Sequence, residues 1–220
     1  MRLKLSRNPK LATILVFALI ALLAACNNIN KRNETSNAMA MRGLNTFKLI
    51  VKKGNTSKLL GGGASPDEVD QAVLGDKIKV YFIRLDSIKQ YHPNEGPSVL
   101  FDVHEDIYPV LNKIKTKVIT SEIVELNAGT NKWEVAGFGS QGTIMQYETF
   151  SKAVGFAAKP YLVRIPGLSL NFMGGELNNK PNLIYLGTQA FDSIAPGDPM
   201  LLDDVLRQLQ PKAIQTTLFP

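Results

Sequence analysis

Two fourteen-residue segments of this chain align without gaps, eighty positions apart: residues 75–88 read GDKIKVYFIRLDSI and residues 155–168 read GFAAKPYLVRIPGL. Gly75/Gly155, Lys79/Lys159, Tyr81/Tyr161 and Arg84/Arg164 are identical, and Phe82/Leu162, Ile83/Val163, Leu85/Ile165 and Ile88/Leu168 are conservative pairs. Each copy follows a stretch with helical signals. Each precedes a proline loop and a short apolar run, PSVLF at Pro97 and PNLIY at Pro181. A unit of this length suits a helix that buries its apolar face on a sheet. The pattern predicts an α+β fold of antiparallel sheets with packed helices, in two similar halves, residues 47–140 and 141–220, able to join as one domain.

Local signals place the elements within each half. Ser65-Pro66-Asp67-Glu68 is an S-x-x-E capping box with proline at the first helical position. Val69, Ala72 and Val73 supply its apolar stripe and Gly75 its stop. In residues 77–85, Ile78, Val80 and Phe82 alternate with Lys77, Lys79 and Tyr81, as in a half-buried strand. Residues 47–52 and 99–103 read as short strands, and Gly61-Gly62-Gly63 as a loop. Residues 117–127 and 133–138 flank Ala128-Gly129-Thr130-Asn131 as a hairpin. A helix over 143–154 is followed by strands near 161–165, 168–172 and 182–186. Asp198-Pro199 opens a last helix whose Leu202, Val205, Leu206 and Leu209 repeat at helical spacing, with Pro211 as its end. This outline is similar to that of small cystatin-like or PepSY-type modules.

The N-terminus carries an address. Arg2, Lys4, Arg7 and Lys10 precede fifteen residues, 11–25, that are apolar but for Thr13. Such a run is too short for a bilayer core of roughly 30 Å, and with its basic start it reads as a secretory signal peptide. It ends in Leu23-Ala24-Ala25-Cys26, which resembles the lipobox of bacterial lipoproteins. That resemblance implies export, lipidation of Cys26 and cleavage before it, so that the chain is held on a membrane of the cell envelope. Asn27, where an Asp commonly retains such proteins at the inner membrane, favours the outer membrane if the organism is Gram-negative. Residues 27–45, NNINKRNETSNAMAMRGLN, read as a flexible tether ending by residue 46.

Processing changes the charge. Four of the 25 Lys and Arg lie in residues 1–25 and none of the 19 acids do, which leaves 21 against 19. Nucleic-acid binding, which needs a basic stripe, is not expected. Cys26 is the only cysteine, so a lipidated chain keeps no thiol for catalysis or disulfides.

Several groups invite a chemical reading. Asp102, His104 and Glu105, in the run Asp102-Val103-His104-Glu105-Asp106, are candidate metal ligands, since strand spacing puts Asp102 and His104 on one face. The simpler readings are a solvated acidic turn, or acids opening a helix toward Leu111. Gly137-Phe138-Gly139-Ser140-Gln141-Gly142 fits G-x-G-x-x-G between a strand and a helix. Its strand alternates polar and apolar residues, and no acid stands near Ile165 to hold a ribose, so a glycine-rich turn is the simpler reading. Around Ser140 a nucleophile elbow would need glycine at Phe138. Asp203 and Asp204 point about 100° apart on a helix, and they, like Asp192 and Asp198, read as surface charge. Lys58 inverts the P-loop order. Leu168, Leu170 and Phe172 alternate before Gly174-Gly175 and are candidates for an edge strand or groove that binds a partner, the simpler reading being an ordinary core-facing strand.

The expected function is a lipid-anchored, non-enzymatic envelope module that binds a protein or envelope polymer, with no cofactor implied. A hydrolase or metal-dependent enzyme using Asp102–Asp106, or a small-ligand carrier, are the alternatives. Replacing Cys26 by Ser should abolish metabolic labelling with palmitate and leave the precursor uncleaved. Unchanged membrane attachment of Cys26→Ser would refute the anchor.

Overall fold

A computed structural model describes residues 35–54 and 64–216. The expected signal peptide, Cys26, the tether up to residue 34, Lys58 and the Gly61–Gly63 loop lie outside the described residues.

The first element is a helix, α1 (Ser36–Lys52), and not a tether running into a strand. Thr35 caps it by accepting a hydrogen bond from the Ala38 N–H at 3.2 Å. Ala40, Leu44, Phe47 and Val51 form its buried stripe. The expectation of a flexible segment to residue 46 and a strand over 47–52 fails for one physical reason. The first two turns bury Ser36, Ala40 and Gly43, whose small side chains give no hydrophobic signal but let a helix lie close on a sheet.

Nine strands follow in one sheet: β1 (Val73–Leu74), β2 (Ile78–Phe82), β3 (Phe101–Leu111), β4 (Val118–Asn127), β5 (Lys132–Gly139), β6 (Tyr161–Ile165), β7 (Leu170–Leu177), β8 (Lys180–Tyr185) and β9 (Pro199–Leu201). Their order is β5-β4-β3-β2-β6-β7-β8-β9, with β1 also on β3. The fold is α+β. Among the described residues the strands pair antiparallel except β2 with β6, which run parallel with Val80 beside Leu162 and Phe82 beside Arg164. The two matched segments therefore lie side by side at the centre of a shared sheet. Tyr81 and Tyr161, identical in the match, meet edge to face at 5.0 Å.

Helices cover both faces. Val80, Leu162, Met173 and Ile184 form one cross-strand row, completely buried under Ile144 and Tyr147 of α4 (Gln141–Ala153). The next row, Tyr81, Val163, Phe172 and Tyr185, faces the other way. It packs with Leu202, Val205, Leu206 and Leu209 of α5 (Leu202–Thr216). Each such buried side chain contributes roughly 1.5–3 kcal/mol. On that same face α1 lies over Tyr108, Val110 and Val124 at the other end of the sheet. Short helices also occur among the described residues, including α2 (Pro66–Asp70), with the expected capping box at Ser65 and Glu68, and α3 (Leu85–Lys89).

Pro211 does not end α5, which continues to Thr216. The proline sits on the exposed side of the helix, as does Arg207, whose carbonyl loses its helical donor there. Burial of Ala213 one turn on, together with hydrogen bonds from Gln210 to the carbonyls of Lys89 and Tyr91, holds the last turn down.

Beneath α1, Glu122 of β4 is fully buried and points at Gly43. A Cβ at position 43 would overlap its carboxyl and crowd Val135. Alanine at a helical glycine ordinarily gains up to about 1 kcal/mol. Here the overlap should outweigh that gain, so Gly43→Ala should lower stability to urea by about 1–2 kcal/mol. Adding Glu122→Ala should recover part of the loss; strict additivity of the two changes would contradict the contact.

Candidate functional site

The expected metal ligands sit on a distortion of β3. Its pairing with β2 jumps from Val80↔Glu105 to Tyr81↔Asp102, which leaves Val103 and His104 bulged and puts His104 at φ 54°. The regular alternation that would align Asp102 with His104 is lost there. Asp102 Oδ1 accepts from the His104 N–H at 2.7 Å and meets Lys79 Nζ at 2.9 Å; His104 Nδ1 is 3.5 Å away. Although partial burial raises the Asp102 carboxyl, Lys79 and the His104 N–H hold it below its ordinary value. Glu105 goes elsewhere, to Arg164 Nη1 at 2.6 Å. Burial raises Glu105, and Arg164 partly offsets this. Asp102, His104 and Glu105 are thus not brought together as a ligand set, and among the described residues no three His, Cys, Asp or Glu side chains converge for a metal ion. Nor do Glu105 and Asp106 open a helix or form a solvated turn. Both belong to β3, and Asp106 is buried with Lys77 at 3.3 Å.

The proposed edge strand is also corrected. β7 lies between β6 and β8, Leu170 and Phe172 are buried in the core, and Leu168 is half-buried in a 3-10 turn, Pro166–Leu168. Alternation looks the same for an inner strand and an edge strand, because both have two faces. The G-x-G-x-x-G stretch links β5, an antiparallel strand at the sheet's edge, to α4, whereas dinucleotide folds use a parallel strand there. Ser140 adopts φ 57° at the helix start and makes no capping bond with its side chain. Asp204 pairs with Arg207 and Asp192 with Lys212 at 3.6 Å, while Asp203 lies against Gly96. Among the described residues no helix is long and apolar enough to cross a membrane.

Sequence reasoning missed a cleft of about 350 Å³ between the start of α4 and the loop after β8. Thr143, Gln146, Ser169, Asn171, Tyr185 and Thr188 line it, and no charged residue does. Gln146 Nε2 donates to the Gly187 carbonyl at 3.0 Å. At Gly187 a side chain would strike the Tyr185 ring, so the glycine leaves room for that ring at the edge of the cleft. The side-chain groups of Thr143, Ser169, Asn171, Tyr185 and Thr188 make no hydrogen bond among the described residues. Uncharged donors and acceptors beside an aromatic ring can bind a neutral, hydroxyl- or amide-bearing ligand.

No protein-family model, curated protein or solved structure matches the chain.

The most perturbed acid among the described residues, Glu122, does not line this cleft. Neither of its oxygens has a hydrogen-bond partner among the described residues, and burial pushes its carboxyl up to about 8. An acid raised on folding stabilises fully below its unfolded value near 4.5, and that contribution is lost as pH climbs to about 8. The stability of the chain to thermal unfolding should therefore fall across this window, by about 3–5 kcal/mol in all. Glu122→Gln should flatten this dependence and exceed the parent chain in stability at pH 9. Superimposable pH profiles would contradict a neutral, buried Glu122.

Proposed function

We propose that the chain is a lipid-anchored cell-envelope protein whose folded part is a non-enzymatic binding module for an envelope polymer or a protein. The observation that carries this reading is the uncharged cleft at the start of α4. Its hydroxyls and the Asn171 amide are unspent among the described residues, and Tyr185 adds an aromatic ring to the lining. Such a lining suits a polyhydroxylated or amide-rich chain. Support also comes from the carboxylates near one another on β3. They are tied to Lys77, Lys79 and Arg164 rather than aimed at a common reactive point. The Cys26 anchor would hold the cleft within the envelope.

Co-sedimentation with insoluble cell-wall polymer, and crosslinking in native membranes, test this reading. Asn171→Ala and Thr143→Ala alter half-buried groups without internal partners and should leave the fold intact. Each lost hydrogen bond should weaken capture, the pair by roughly tenfold. Capture equal in parent and double variant, of polymer and protein alike, would overturn the assignment of the cleft.

A further inference from the structure

The outer face of α1 sets exposed apolar residues beside cations. Met41 and Leu49 are 47% and 59% exposed. At 100° per residue Met41, Asn45, Leu49 and Lys52 fall within one quadrant, opposite Ala40 and Phe47, which are fully buried. Lys48, Lys52 and Lys53 flank the apolar pair, none with an ion-pair partner among the described residues. The helix contains no acid.

Charge along the chain is divided in the same way. Residues 27–63 carry seven Lys and Arg against the single acid Glu34, whereas residues 64–220 carry fourteen against eighteen acids. An anionic surface would attract α1 and repel the remainder. Cations beside exposed apolar residues on one helical face are what an interfacial helix needs, the apolar groups entering the acyl boundary and the lysines staying among the headgroups.

The chain places that face within reach of a membrane. Nine residues separate Cys26 from Ser36, and at full extension they span at most roughly 30 Å. We propose that the exposed face of α1 lies on the anionic lipid surface to which Cys26 ties the chain, and so fixes the orientation of the whole sheet on the membrane. This inference rests on the reading of Cys26 as the anchor. Lipid at Cys26 supplies attachment, and α1 supplies orientation, since a single tether alone leaves the domain free to turn.

A thiol introduced by Leu49→Cys is the only one in the full chain once Cys26 is lipidated, and it accepts an environment-sensitive fluorophore. The processed protein is reconstituted in vesicles of phosphatidylcholine with or without phosphatidylglycerol. A blue shift and several-fold weaker iodide quenching are expected in the anionic vesicles alone, reversed by high salt and by the triple change Lys48→Glu, Lys52→Glu, Lys53→Glu. A probe at Lys180→Cys, at the β7–β8 turn, should stay quenched throughout. Equal quenching at position 49 in both vesicle types, with the protein still vesicle-bound, would overturn the proposal. So would protection in neutral vesicles, which would point to cover by a second copy or another protein. A Cys26 thiol that remains reactive would instead sink the anchor. The unlipidated chain then decides for α1: salt-sensitive flotation with anionic vesicles supports its face, and absence of flotation overturns it.

Discussion

Parallel strands cannot be joined by a tight turn, and the side-by-side pairing of β2 with β6 obliges the chain to travel far between them. That journey is the β3-β4-β5 meander followed by α4, and its return laid across the sheet buries the row Val80, Leu162, Met173 and Ile184. Because β2 and β6 are central, both of their faces must be kept from water. α4 covers one face. On the other, α5 and α1 cover the two ends, with Phe172 and Val163 at one and Tyr108 and Val110 at the other. Each meander then spreads outward from this junction, so the position of every later strand follows from one contact.

The polar features are accommodated around that frame at some cost. A buried carboxyl without a partner is unfavourable unless it stays neutral, and Glu122 under α1 meets that condition through its raised proton affinity. Gly43 supplies the space for it. One turn further along the helix, Phe47 stacks on Phe138 of β5 at 5.0 Å, so the helix that precedes the sheet in sequence is built into its packing.

Much of this architecture was legible. The eighty-residue match marked the two strands that pair at the centre, the Ser65 capping box is present as read, and the hairpin over residues 117–138 forms as β4 and β5. Size and alternation carried those signals. What escaped had no such carrier. The early turns of α1 are held by small residues, Pro211 is tolerated because its turn is anchored by Ala213, and the inner place of β7 depends on neighbours distant in sequence. The site was less legible than the fold. The bulge at Val103 and His104 undoes strand spacing locally, and the cleft gathers Thr143, Asn171 and Thr188 from separate elements, with no spacing between them that a single segment could reveal.

The central claim is that the β2–β6 pairing makes one cooperative body of two meanders. Native-state hydrogen exchange resolved by residue addresses it directly. Amides engaged in the pairing of Val80–Phe82 with Leu162–Arg164, together with those of β3 and β7, should be the slowest to exchange and should share one opening free energy equal to that of global unfolding. Separate limiting values for β2–β5 and β6–β9, with the junction exchanging faster than either, would contradict it.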